Sequence, residues 1–169
     1  MASLEKWQDR PIEEANLFNP AFVCALVHEF LKDYVKAQAG GAPITVVVIA
    51  MTATLHRASR ERLPNRTGTP LYAWIQDNED LLIGFASRAK NIVPYVKEGI
   101  LFGMATETVA VGKGHNLLPG AKKATFPKPF IDKTTAEMRS IIDRAKFMGM
   151  WLSNSGSEIS VAAAWGVKP

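Results

Sequence analysis

The apolar side chains Phe22, Val23, Leu26, Val27, Phe30, Leu31 and Tyr34 recur at intervals of three and four, the stripe of an amphipathic helix. Its start is marked three ways: Asn19 stands at the cap, Pro20 at the first helical position, and Phe18 with Val23 at the two places of a hydrophobic staple. Gly40-Gly41 ends the pattern. Before it, Leu4, Trp7, Ile12 and Leu17 lie isolated among charges without periodicity, so residues 1–17 read as an N-terminal arm on a single domain of residues 18–169. Within the arm, Trp7 either packs back on the domain or anchors in a partner.

Residues 44–49 (Ile-Thr-Val-Val-Val-Ile) have strand propensity. Pro43 and the continuation through Leu55 favour a buried helix of about three turns, and periodicity alone does not separate the two. Thr69-Pro70 opens a short helix with Leu71, Trp74 and Ile75 inward. The acids of residues 77–80 stand before a further helix with Leu81, Leu82, Phe85, Ala89 and Ile92 inside. Val93-Pro94 is expected to break that helix and restart a shorter one over 95–102, closed by Gly103 as a left-handed cap.

A β-hairpin follows over residues 104–118, with Lys113 in its Gly-Lys-Gly turn. Short helices and then a hairpin are the order of a winged helix-turn-helix, in which residues 95–102 would be the presented helix. That helix carries only Lys97 and Glu98 as charges, which suits a protein partner better than base edges. Residues 119–133 lack periodicity and read as a mobile, basic connector. Thr134-Thr135-Ala136-Glu137 is a capping box opening a helix with Met138, Ile141, Ile142, Ala145, Met148 and Leu152 inward, and Ser157 caps a last helix through Trp165. The fold class is therefore α+β, predominantly α-helical, with one hairpin.

Charge sharpens the picture. The 169 residues hold 20 Lys and Arg against 16 Asp and Glu, a net charge of +4. Residues 112–133 contain five Lys against the single Asp132, so the whole excess lies there. Lys113, Lys122, Lys123 and Lys128 are the candidate contacts to nucleic acid or an acidic partner. A second basic site is His56-Arg57-Ala58-Ser59-Arg60-Glu61-Arg62; from it Arg57 and Arg60 join Trp7, Tyr95 and Lys97 as candidate partner contacts.

Catalytic chemistry is not signalled. Cys24 is the only cysteine, which excludes an internal disulfide and a cysteine-based zinc cluster and fits a reducing, cytoplasmic setting. Cys24 and His28 are helix neighbours with no third group to activate them, so they read as a structural pair. The histidines 28, 56 and 115 have no metal spacing, and no nucleophile elbow or phosphate-cradling loop occurs. No cofactor, no small-molecule substrate and no enzymatic activity are expected. The charged first residues argue against a secretory signal, and the most apolar run, about ten residues, is short of a membrane span.

Several segments together resemble the middle-component family of bacterial three-component ABC-ATPase conflict systems, the group that includes the small subunits of Lamassu-type anti-phage defence. They are Asn19-Pro20-Ala21-Phe22 with His28-Glu29-Phe30, Leu55-His56-Arg57 with Arg60 and Leu63-Pro64, Leu81-Leu82-Ile83-Gly84-Phe85-Ala86 with Arg88-Ala89, Val93-Pro94, Leu101-Phe102-Gly103, Gly149 to Trp151, and Gly166-Val167-Lys168-Pro169. The resemblance runs from about residue 19 onward. It implies a non-catalytic subunit that binds an SMC-like or Rad50-like ABC ATPase and couples its DNA- or nucleotide-driven state to an effector, often a nuclease, with DNA met through the complex. It also favours helix over strand at 44–55 and assigns no active residue. The alternative reading of the residues is a free-standing winged-helix DNA-binding transcriptional regulator.

Overall fold

The computed structural model describes residues 4–168; Met1 to Ser3, within the charged start, and Pro169, of the closing motif, lie outside the described residues. The N-terminal segment is not featureless. A 3-10 turn, Trp7–Asp9, leads into α1 (Ile12–Leu17), and between them Arg10 is buried in an ion pair with Glu98. The Asn19 side chain then accepts the Ala21 amide at 2.9 Å and caps α2 (Pro20–Tyr34), with Pro20 at its first turn as the sequence indicates. This helix stops at Tyr34, one and a half turns before Gly40, and residues 35–41 form turns.

Residues 44–55 are helical: α3 (Ile44–Leu55) is buried on every side from Val46 to Thr54. A β-branched run costs up to about 0.7 kcal/mol per residue in a helix. A buried strand, however, would need neighbours to satisfy its backbone, and a helix satisfies its own. The Thr52 hydroxyl donates to the Val48 carbonyl at 2.7 Å, so even this hydroxyl is placed within the helix. After it come α4 (Arg57–Arg62), α5 (Leu71–Gln76) and a 3-10 turn, Glu79–Leu82.

The largest departure from the sequence reading is α6 (Phe85–Ala105), one continuous helix of 21 residues with Pro94 inside it. Pro94 neither breaks nor restarts it, and residues 95–102 are not a separate presented helix. A proline inside a helix costs about 3 kcal/mol. Here the buried positions Phe85, Ala89, Ile92, Val96, Gly99, Ile100 and Gly103 keep their three-four spacing straight through it, and their burial against α2 and α3 outweighs the lost hydrogen bond. The true break lies earlier, at Gly84, whose φ of 71° separates the 3-10 turn from α6. Gly103 is not a left-handed cap. It is helical, and a Cβ there would stand 2.6 Å from Val109 and 2.9 Å from the Cys24 sulfur, so glycine is needed for close approach.

Residues 104–108 consequently finish the helix and turn, with Glu107 at φ 61°, and the hairpin is shorter than its sequence suggests. It pairs β1 (Val109–Val111) antiparallel with β2 (Leu117–Pro119), in the register Val109 to Pro119, Ala110 to Leu118 and Val111 to Leu117. Ala42, in the α2–α3 connection, exchanges both backbone hydrogen bonds with Leu117 along the outer side of β2, at 2.8 and 2.9 Å.

The connector 119–133 is not irregular throughout, since it contains α7 (Lys128–Lys133). It is held because Phe126 meets the Phe22 ring edge-on at 5.9 Å and Phe130 stacks on Phe126 at 5.8 Å. The capping box is displaced by one residue: Thr135, not Thr134, accepts the Met138 amide and caps α8 (Ala136–Leu152). Glu137 therefore does not reach back to a cap and instead pairs with Arg60. Ser157 caps α9 (Glu158–Ala164) as read. The core has α2 between α6 and α8, α3 crossing both, and an aromatic cluster of Trp74, Trp151, Trp165 and Phe85 with ring centres 4.5 to 5.4 Å apart. The protein is a predominantly helical α+β single domain. No helix among the described residues is long and apolar enough to cross a membrane.

Candidate functional site

The lysine-bearing edge is built on the hairpin. Gly112 donates to the Asn116 carbonyl at 2.8 Å, closing a loop that leaves Lys113 exposed at the tip. Beyond β2 the ladder continues through Gly120 to Thr108 and Lys122 to Glu107, both 2.9 Å. Lys122 is thus placed at the far end of the hairpin from Lys113, where its ammonium stands 3.4 Å from the Glu107 carboxylate. Lys123 and Lys128 are exposed, and neither they nor Lys113 has an ion-pair partner among the described residues. The four lysines therefore line an edge without forming one cluster.

Between Lys123 and Lys128 the chain turns apolar side chains toward the body. Ala124, Phe126 and Phe130 wall a groove of about 560 Å³ against Leu17 and Phe22 on one side and Met138 and Ile141 of α8 on the other. Leu17 is 47% exposed and Phe130 43%, high values for residues lining an apolar cleft. Sequence reading missed this groove, although Phe126 and Phe130 four residues apart amid Lys and Pro were its signal.

The second basic site is largely neutralised. Arg57 pairs with Glu61 at 2.7 Å, and Arg62 binds Asp80 through both terminal nitrogens, at 2.5 and 2.9 Å. Arg60 is only 2% exposed, donating to the Thr54 carbonyl at 3.0 Å and to Glu137 at 2.8 Å, so of the two candidate contacts Arg57 alone faces solvent. His56 caps α4 by accepting the Ser59 amide on Nδ1. Burial, with the nearby Arg88 and Arg60 charges, holds its pKa below the usual histidine value.

Tyr95 is engaged within the chain: it stacks on Phe18 at 4.2 Å, donates to Glu14 at 2.8 Å, and lies 5.8 Å beneath the Arg10 guanidinium. Burial and then the Glu14 carboxylate push its phenol up. With Phe18, Leu55, His56, Arg88 and Ile92 it lines a cavity of about 400 Å³. Lys97 is exposed on α6, a helix that also leaves Leu101, Phe102 and Met104 uncovered. Trp7 is half exposed and donates to the Ala15 carbonyl of its own segment at 3.2 Å.

Cys24 and His28 both meet Thr108, the sulfur 3.1 Å from its hydroxyl and Nδ1 donating to its carbonyl at 2.8 Å. Burial raises the thiol pKa, which disfavours the nucleophilic thiolate. Among the described residues no group of three or more His, Cys, Asp or Glu could hold a metal ion.

Among family models, the profile described as ABC-three component (ABC-3C) system Middle Component 3 matches residues 7–169. The chain belongs to the Middle Component 3 family. The match takes in the Trp7 turn and α1 as well as the region from residue 19 on. No curated protein and no solved structure matches the chain. As a Middle Component 3 protein it is an accessory subunit of a multi-component ABC system, and its partners are the other components of that system.

Proposed function

We propose that this Middle Component 3 protein binds an SMC-like or Rad50-like ABC ATPase in the cytoplasm and couples its DNA-sensing state to an effector nuclease, in a Lamassu-type anti-phage system. The observation that carries this reading is the coexistence of uncovered apolar side chains, Leu17, Leu101, Phe102 and Phe130, with lysines that lack ionic partners among the described residues. An accessory subunit needs such groups to be held by a larger protein, while Lys113 at the hairpin tip offers phosphate contact once the complex sits on DNA. Lys97 and Arg57 are exposed and Trp7 is half exposed, so each is free to take part in a partner contact.

The free-standing regulator draws less support, because the helix it would present is the second half of α6 and buries Val96, Gly99, Ile100 and Gly103 in the core. The deciding experiment mixes the purified chain with the ABC ATPase encoded beside it. Co-elution at micromolar concentration is expected, and separate elution overturns the proposal. Tight, salt-sensitive duplex binding by the isolated chain would favour the regulator instead.

A further inference from the structure

We infer that the groove between Leu17, Phe126, Phe130 and Met138 receives an acidic amphipathic helix of the partner ABC component, an assignment that rests on the proposed function and specifies its contact. Four observations lead there. The groove is an open one of about 560 Å³, and its walls are apolar and partly aromatic. Phe130 and Leu17 both line the groove and remain about half exposed, leaving apolar area that a partner would cover.

The walls come from α1, α2, residues 124–127, α7 and α8, and no strand borders them. A bound peptide therefore has no sheet edge to extend, and with no Trp or Tyr among the lining residues to donate to the exposed carbonyls of a proline-rich segment, the mode that fits is a helix laying its apolar face into the cleft.

The rim supplies the sign of the charge. The wall of residues 121–131 carries Lys122, Lys123 and Lys128 and no acid, and of these only Lys122 has a carboxylate beside it, that of Glu107. Asp132 follows as the one acid of α7; on the other walls Glu14 and Glu137 are occupied by Tyr95 and Arg60, while the exposed Glu13 of α1 and Asp143 of α8 lie outside the residues that line the groove, Asp143 beside Arg139 and Arg144. A helix with acids flanking its apolar stripe satisfies rim and floor together. A nucleic-acid backbone would use the lysines and leave Phe126, Phe130 and Leu17 uncovered.

The test uses the full chain and its ABC ATPase. Leu17→Asp and Phe130→Asp, each at an exposed side chain, should weaken binding of the ATPase about tenfold or more; the melting temperature should be unchanged for Leu17→Asp, whereas Phe130→Asp also gives up the stack on Phe126 and serves as the second variant. Lys123→Glu with Lys128→Glu should weaken it and flatten its salt dependence. A photo-reactive benzophenone side chain installed at position 130 should cross-link to a helical, acidic segment of the ATPase. If the wild-type chain binds the ATPase and both Asp variants bind equally well, the groove assignment is wrong and the proposed function stands. If the wild-type chain does not bind, both fall. A cross-link to a basic or neutral segment overturns the assignment, as does duplex DNA binding that falls with the lysine changes while ATPase binding does not.

Discussion

Arg10 donates both terminal guanidinium nitrogens to the two carboxylate oxygens of Glu98, each at 2.8 Å, joining the N-terminal segment to the middle of α6 across 88 positions of sequence. Its Nε donates to the Glu5 carbonyl at 2.9 Å, so the guanidinium also pins the chain before it. Arg10 is almost fully buried, whereas the Glu98 side chain keeps about a third of its exposure. Removing the acid strands a buried cation, and removing the base leaves an acid that water can reach. Glu98→Ala is therefore expected to cost about 2 to 3 kcal/mol and Arg10→Ala about 1 to 2, read from urea denaturation. Arg10→Ala should also speed proteolytic cleavage before Asn19, while the body from α2 onward stays resistant.

Gly149 sits where α8 crosses α2, and a Cβ there would run into the Phe30 carbonyl and lie 3.1 Å from the Tyr34 amide nitrogen. Those neighbours are helix backbone and yield little. Gly149→Ala should destabilise by about 2 to 3 kcal/mol despite the better helix propensity of alanine. At Gly103 the obstacles are the Val109 and Cys24 side chains, so Gly103→Ala should cost less, and Val109→Ala should partly rescue it. A double-mutant cycle in chemical denaturation measures that coupling.

His56 gives the stability curve an acid limb. Its folded pKa lies below the ordinary 6.5, chiefly through burial and then through Arg88 and Arg60, and its Nδ1 must stay unprotonated to accept the Ser59 amide. The unfolded chain then takes up the proton first as pH falls. Stability from this group is complete above about 6.5 and declines as pH drops from there through the lower folded value. His56→Asn keeps a good cap and cannot titrate, so it should flatten the pH dependence of the unfolding free energy across that window.

Arg60 and Glu137 should respond unequally. Arg60→Met leaves the buried Thr54 carbonyl without its donor and is expected to cost about 2 kcal/mol. Glu137→Ala leaves the buried Arg60 cation without its acid, but the Glu137 side chain is 59% exposed and water can take its place, so the change should cost less, about 1 kcal/mol. Equal losses in thermal melts would mean that the ion pair, not the carbonyl contact, fixes Arg60.

The elements that sequence reading located were those with a local cause. Asn19, Ser157 and the three-four stripe of α2 act within one or two turns; the apolar run of residues 44–55 does not by itself separate strand from helix, and the helix favoured there by Pro43, the apolar continuation and the family resemblance is the one found. Pro94 and Gly103 misled because each carries a strong local meaning that long-range packing overrides. The uninterrupted spacing of Phe85, Ala89, Ile92, Val96 and Ile100 held the information that decides between them. Thr134 and Thr135 were a choice of one residue, settled by Glu137 turning to Arg60 from another helix. The groove was illegible for the same reason, since Leu17, Phe126 and Met138 meet only after the chain folds, whereas the lysines on its rim stand out in composition.

The hairpin is small, and the way its rails are used has a consequence for solubility. Ala42 occupies the outer side of β2 with both of its hydrogen bonds, and Gly120 and Lys122 extend the inner ladder past the strand ends. The remaining open rail is that of β1, three residues long, leading to a tip that bears Lys113. Strand-to-strand polymerisation needs a long, flat, uncharged edge, and this one ends in a turn and a cation before a second chain could register on it. A chain that leaves Leu17, Leu101, Phe102 and Phe130 uncovered is thereby spared one common route to aggregation.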